Sequence, residues 1–227
     1  MEIKPIGYIY TDFDEKFGIP RQSGRASALF GRIEFEKDYR SDDAFRGIED
    51  FSHLWLIFGF DKAIRNDNSL TVRPPRLGGN KRIGVFASRS PYRPNSLGLS
   101  VVKFERLEKD AKKGNVLIVS GVDILNKTPI YDIKPYLPYA ESISGAYGSF
   151  ADEMSAYRLK VDFPKDLLAI LPEEKRAAAI ECLEDDPRPS YHDDTRKYSM
   201  LFAGFDIHFK VEKDVLSVIG VDKKGES

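Results

Sequence analysis

The sequence predicts a mainly β protein with a smaller α+β portion towards its C-terminal end, and three observations predict it. Short β-branched and aromatic runs dominate as far as about residue 124, turn-formers separate them, and the pattern changes after about residue 147 to helical stretches followed by alternation. Many short strands with few helices point to a barrel or a sandwich. The 227 residues fit one large domain or one medium domain with a smaller partner, and 41% apolar and 12% aromatic content suffices for a sizeable core. We expect the division to fall between residues 1–146 and 147–227.

In order, residues 6–10, 27–36, 51–60, 83–87, 97–107 and 116–122 read as strands. Between them lie turn-formers such as Pro74-Pro75, Gly78-Gly79-Asn80 and Lys113-Gly114-Asn115. Residues 51–60 lack polar alternation, so both faces of that strand should be covered. Phe45 and Ile48, three apart, suggest a short helix over 42–50. Residues 164–171 and 172–184 look helical, and Pro172 followed by Glu173 and Glu174 suits the positive end of a helix dipole. Residues 201–211 and 215–221 alternate like a hairpin joined near 212–214, and the tail at 223–227 should fray.

Several function classes are disfavoured. A single cysteine, Cys182, permits no intrachain disulfide and reads as an inert core residue. His53, His192 and His208 have no cysteine partner, so no metal site is expected and each reads as a structural or surface residue. The beginning of the chain has no apolar run of signal-peptide length, and the most apolar stretch, Leu54 to Phe60, is too short to cross a bilayer. A soluble, cytoplasmic protein without membrane partners is expected. No phosphate-cradling P-loop, no G-x-G-x-x-G after a strand and no G-x-S-x-G elbow occurs, which argues against a Rossmann fold.

Charge is balanced in total, 35 basic against 36 acidic residues, but not locally. From Asn68 to Phe104 there is no acidic residue, while Arg73, Arg76, Lys81, Arg82, Arg89, Arg93 and Lys103 are basic. These arginines sit among Pro, Gly, Ser and Asn, in loops whose rigidity lowers the entropy cost of presenting guanidinium groups. Guanidinium suits bidentate contact with phosphate, and Tyr92 offers a ring for base stacking, so the segment looks like an anion or RNA surface. A merely solvated face is the bland alternative.

Three further segments combine conformational constraint with polar groups: 20–24, 123–136 and 186–191. Singly, each reads as a loop staple in which Asp and Thr satisfy turn amides and Pro fixes the path. Together they form a series: Pro20-Arg21-Gln22, Phe51-Ser52-His53-Leu54-Trp55, Arg73-Pro74-Pro75, Phe86-Ala87-Ser88-Arg89-Ser90-Pro91-Tyr92-Arg93-Pro94-Asn95 before Leu97-Gly98-Leu99-Ser100, and Asp123 through Thr128-Pro129 to Asp132-Ile133-Lys134-Pro135-Tyr136. In order and spacing this series resembles the TsaA/TrmO-like (YaeB-like) family over about the first 140 residues. Asp186-Pro187-Arg188-Pro189 with Tyr191 resembles that family's C-terminal domain.

The resemblance implies a YaeB-like β-barrel, not a Rossmann fold, that uses S-adenosylmethionine to methylate N6 of threonylcarbamoyladenosine at position 37 of tRNA. It also implies a homodimer with the cofactor near the subunit interface. Carried over by motif, the cofactor contacts are Pro20, Arg21, Gln22, Asp61, Lys62, Arg89, Leu99, Leu125, Asn126, Lys127 and Thr128. The chain departs from the family pattern at Asn126-Lys127, where Asp-Gly is usual before Thr-Pro, and at Asp61-Lys62.

Methyl transfer is an in-line displacement at a sulfonium carbon, so the protein chiefly holds donor and acceptor collinear. A sulfonium prefers carbonyls or carboxylates to arginines, which makes Arg21 and Arg89 partners of the methionyl carboxylate or of phosphate. The acceptor nitrogen must lose a proton, and Asp123 and Asp132 are the candidate general bases. A carboxylate capping a turn is the rival reading of both. Arg73, Arg76, Arg93, Arg188, Tyr191, Arg196, Lys197 and Tyr198 are the candidate contacts to the single-stranded anticodon loop. On this division, removing the residues after about Tyr147 should weaken tRNA binding more than cofactor binding. Two rivals stand beside the enzyme: a non-catalytic RNA-binding module that senses S-adenosylmethionine, and a scaffold whose basic segment is only solvated.

Overall fold

A computed structural model describes residues 2–63, 69–74, 81–153, 155–189 and 196–225. Six strands close a barrel: β1 (Gly7–Tyr10), β2 (Phe30–Phe35), β3 (His53–Gly59), β6 (Leu97–Asp110), β7 (Gly114–Ser120) and β8 (Thr128–Pro135). Their order around the barrel is β1-β2-β7-β6-β3-β8, and every neighbouring pair is antiparallel. A two-stranded ribbon, β4 (Thr71–Val72) with β5 (Ile83–Gly84), interrupts the connection from β3 to β6.

Side-chain alternation decides which residues fill the barrel. Ile9, Ile33, Leu54, Leu56, Phe58, Val102, Leu117, Val119 and Ile130 are all buried at alternate strand positions, and they share one core. Gly98 faces inward on β6 because no larger residue fits there. A β-carbon at that position would lie 2.3 Å from Cζ of Phe58.

The C-terminal portion is α+β. Short helices α1 (Pro138–Glu141) and α2 (Phe150–Glu153) lead to strand β9 (Lys160–Asp162), a helical turn α3 (Lys165–Leu168) and the longer helix α4 (Glu173–Glu184). Strands β10 (Tyr198–Phe202), β11 (Phe205–Glu212) and β12 (Val215–Lys223) then form a meander, and β9 joins β12 in parallel. Ala178, Ala179, Cys182 and Leu183 of α4 are buried and continue the core of the barrel into this sheet. Phe13 meets Phe202 at 5.4 Å, so the two portions pack directly on one another.

Several expectations change in detail. The strand expected over 27–36 begins only at Phe30, because Ala26 and Leu29 close a turn first. The helix expected over 42–50 is two 3-10 turns, Asp42–Phe45 and Ile48–Asp50, parted by Gly47 at φ 83°. Residues 83–87 are strand only at Ile83–Gly84 and then turn through Val85–Ala87. The strand expected over 201–211 is broken by Ala203 (φ 51°) and Gly204 (φ 82°), which turn β10 back into β11 and make three strands of an expected hairpin. Strand β8, read from sequence as a constrained motif, is the element that closes the barrel against β1 and β3.

Candidate active site

Antiparallel order determines where the motifs meet. The C-terminal ends of β1, β7 and β3 and the N-terminal ends of β2, β6 and β8 all lie at one end of the barrel. The connections 11–29, 60–96 and 121–127 therefore emerge together, and they contain nearly all of the residues expected to bind cofactor. Strand pairing brings these three segments, far apart in sequence, to one rim.

Two glycines allow the loops to touch. Gly121, at φ 72°, turns the chain out of β7, and its carbonyl accepts the Gly24 amide at 2.8 Å. A β-carbon on Gly121 would sit 3.3 Å from the Gly24 Cα, so the approach depends on its absence. Two residues further on, Asp123 accepts a hydrogen bond from Ser100 Oγ at 2.6 Å and another from the Ser23 amide. Arg89 Nη1 donates to Gln22 Oε1 at 2.6 Å, and its charge acts on Asp123. Gln22, Ser23, Arg89, Ser100 and Asp123 thus form one constellation.

Burial raises the Asp123 carboxyl above its ordinary value, while the hydrogen bonds from Ser100 and the backbone and the charge of Arg89 pull the other way. A desolvated carboxylate with an elevated proton affinity is suited to accepting a proton at neutral pH. Asp132 occupies a different setting. It lies in register with Ile57 on the outer face of β8 and pairs with Lys134 at 2.9 Å. Asp123 instead sits in the loop at the barrel rim, bonded to the inward-facing Ser100.

The other expected cofactor contacts divide by environment. Pro20 is buried, Arg21 is partly buried with Nη2 on the Arg188 carbonyl at 2.6 Å, and Gln22 is exposed. Leu99 is 51% exposed on the outer face of the barrel, beside Ile57. Asp61 and Lys62 are exposed in the turn after β3, where the Lys62 carbonyl accepts Lys16 Nζ at 3.1 Å. The 125–128 turn is stitched to the segment after β1. Asn126 accepts the Thr11 amide at 3.2 Å and donates to Asp14 at 2.8 Å, and the buried Thr128 hydroxyl bonds Leu125 O at 2.7 Å. Lys127 takes φ 63°, the left-handed conformation that favours glycine.

The expected RNA contacts are scattered. Arg73 is exposed, while Arg93 is turned inward to the Ser88 carbonyl at 3.1 Å and shapes its own loop. Arg76 and Tyr191 lie outside the described residues. The Arg188 side chain is 11% exposed and its guanidinium donates two hydrogen bonds to Asp186, at 2.9 and 3.0 Å. Arg196 and Lys197 are exposed, and the Tyr198 ring belongs to a cluster with Phe17 (6.3 Å) and Phe209 (5.6 Å). Among the described residues no helix is long and apolar enough to cross a membrane, and no group of three or more His, Cys, Asp or Glu could hold a metal.

Sequence reasoning missed Ser23, Ser100, Arg25 and Asp185. Ser100 could have been found from the alternation of β6, which turns 98, 100 and 102 inward. A pocket of 360 Å³ lies between the 16–21 loop and residues 185–189, with Cys182 in its wall. Burial pushes the Cys182 thiol up, so it stays a protonated, inert thiol as expected.

Comparison with known proteins identifies the family. Residues 8–142 match the tRNA-methyltransferase O N-terminal domain and residues 156–224 match the TrmO C-terminal domain. The tRNA (adenine(37)-N6)-methyltransferase of Escherichia coli K12 is 37% identical, with 98% of each chain covered. A Pseudomonas aeruginosa protein, RcsF, named provisionally as an S-adenosylmethionine-dependent methyltransferase, is 37% identical with 96% of each covered. The crystal structure of TrmO from P. aeruginosa superposes with a TM-score of 0.80 at 33% identity, covering 98% of this chain and 97% of that one. Matched over both of its portions in sequence and in structure, the chain belongs to the tRNA-methyltransferase O family.

Proposed function

We propose that this chain transfers a methyl group from S-adenosylmethionine to N6 of adenine 37 in tRNA, and that its acceptor is the threonylcarbamoylated form of that adenine. The observation that carries the reading is the meeting of Gln22, Arg89, Ser100 and Asp123 at one rim of the barrel, in a chain whose E. coli relative is named for that reaction. The donor set suits the cofactor. Arg89, exposed and oriented by Gln22, can receive the methionyl carboxylate, and the exposed Leu99 offers an apolar surface to the adenosine portion. When bound, S-adenosylmethionine supplies an activated methyl group on a sulfonium.

The chain's own residues orient the reactants and move the proton. Asp123 would accept the N6 proton as the methyl carbon–nitrogen bond forms and the carbon–sulfur bond breaks, its electron pair leaving with the neutral thioether, and Ser100 holds the carboxylate in place. The basic loops draw in the anticodon stem-loop through salt-sensitive phosphate contacts. The division at 146/147 is part of this reading, as are a cytoplasmic location and a homodimer whose interface lies beside the cofactor and covers Leu97, 38% exposed in the single chain. Incubation with S-adenosylmethionine labelled in its methyl group tests the reaction. Label should enter bulk tRNA and be absent from a transcript with guanosine at position 37. Equal labelling of both would reject adenine 37 as the acceptor.

A further inference from the structure

We propose that Asp185 is a positioning residue for the cofactor loop, acting across the contact between the two portions of the chain. Asp185 is buried at 3% exposure, the charged residue among the buried polar side chains. One of its oxygens pairs with Nε of Arg25, and the other accepts the backbone amide of Arg21 at 3.1 Å. Arg25 is held further by the carbonyls of Ser155 and Tyr157, both at 2.8 Å, and Arg158 donates to the Arg25 carbonyl. A single carboxylate at the end of α4 therefore grips both sides of the segment 21–25, which contains Gln22 and Ser23. Those two residues in turn orient Arg89 and Asp123.

Removing one partner of a buried pair leaves the other charge uncompensated, so the segment would shift and not merely loosen. Asp186 and Arg188 reinforce the same brace. Arg188 is locked to Asp186, while its carbonyl receives Arg21 Nη2 at 2.6 Å. Residues 185–188 are thus built to hold the loop at the barrel rim.

This inference rests on the reading that loop 20–22 contacts S-adenosylmethionine, and the experiment separates the two. Equilibrium dialysis with S-adenosylmethionine is run on the full chain, on Gln22→Ala, on Asp185→Asn and on Lys175→Gln. Lys175 pairs with Asp12 at 2.7 Å across the same contact but does not touch the 20–25 segment. Asp185→Asn should raise Kd and KM for S-adenosylmethionine by about ten-fold, a typical size for coupling between linked sites. Saturating cofactor should restore most of the turnover, with kcat falling by less than Kd rises because Ser23 also touches Asp123, and the KM for tRNA should stay within about two-fold of the parent. Asp185→Glu should recover part of the affinity, and Lys175→Gln should lower the melting temperature without changing cofactor affinity. Wild-type affinity in folded Asp185→Asn would overturn the inference, as would an equal loss in Lys175→Gln. An unchanged Kd in Gln22→Ala would instead overturn the placing of the cofactor at this loop.

Discussion

Replacing Asp123 by asparagine removes the proposed proton acceptor while keeping its shape. The carboxylate has two fixed donors, Ser100 Oγ at 2.6 Å and the Ser23 amide, and its environment is desolvated enough to raise its proton affinity. Asparagine keeps an acceptor oxygen for the Ser23 amide and can meet the Ser100 hydroxyl, itself donor or acceptor, through either end of its amide, so loop geometry and cofactor affinity should largely persist. A positioned general base contributes about 10²–10⁴ in rate, or about 3–5 kcal/mol of barrel-rim stabilisation of the transition state. Single-turnover methylation at saturating tRNA and cofactor should therefore fall by at least about 100-fold in Asp123→Asn, with Kd for S-adenosylmethionine within about three-fold of the parent. The sign of the pH dependence follows from the raised value. The folded state binds this proton more tightly than the unfolded chain, so stability from this group is present at low pH and lost as pH rises through the folded value. Asp123→Asn should accordingly lose less stability than the parent between mildly acidic and neutral pH in urea titrations. A single-turnover rate within three-fold of the parent would refute the assignment of Asp123 as base.

Ser100→Ala removes a hydrogen bond that lowers the Asp123 value, so the acidic limb of the pH–rate profile should move to higher pH; a shift to lower pH contradicts the network. Gly98→Ala forces a methyl to 2.3 Å from Phe58, and denaturant unfolding should show a loss of about 1–3 kcal/mol, with no loss disproving the close approach. Lys127→Gly relieves a left-handed conformation worth about 1–2 kcal/mol, partly offset by the freedom glycine gains when unfolded. A small rise in melting temperature, about 2 °C, is expected in calorimetry. Cys182 should resist thiol reagents in the native protein at pH 8 and react fully in urea; rapid native labelling would contradict its burial.

Much of the barrel was legible because strand alternation is a local signal. Residues 97–107 and 116–122 carry it plainly, and their strands lie close to those bounds. What escaped depends on contacts distant in sequence. Strand β8 reads as a motif because Thr128-Pro129 and Asp132-Ile133-Lys134-Pro135 break the apolar pattern, yet its pairing with β1 and β3 makes it a strand. The site was legible as a set of separate motifs, since Gln22, Arg89 and Asp123 each stood out, but not as a constellation. Their joining through Ser23 and Ser100 follows from the barrel order alone. Charge was the poorer guide. Arg93 in the basic segment and Arg188 in the C-terminal portion read as RNA contacts, whereas the fold turns both to internal acceptors. Asp185, beside the noted Asp186, carries no sequence signal for its contact with Arg25, 160 residues away. Removing the whole C-terminal portion would also remove Asp185, so substitutions separate cofactor from tRNA effects where a truncation would not.

Mass spectrometry of nucleosides identifies the acceptor directly. Purified protein and S-adenosylmethionine are incubated with tRNA that carries threonylcarbamoyladenosine but lacks its methyl group, beside the same tRNA with plain adenosine at position 37. N6-methylated threonylcarbamoyladenosine should appear in the first reaction, dependent on both protein and cofactor, and no new nucleoside in the second. Methylation of plain adenosine, or no product from protein that binds the cofactor, would contradict the proposed acceptor.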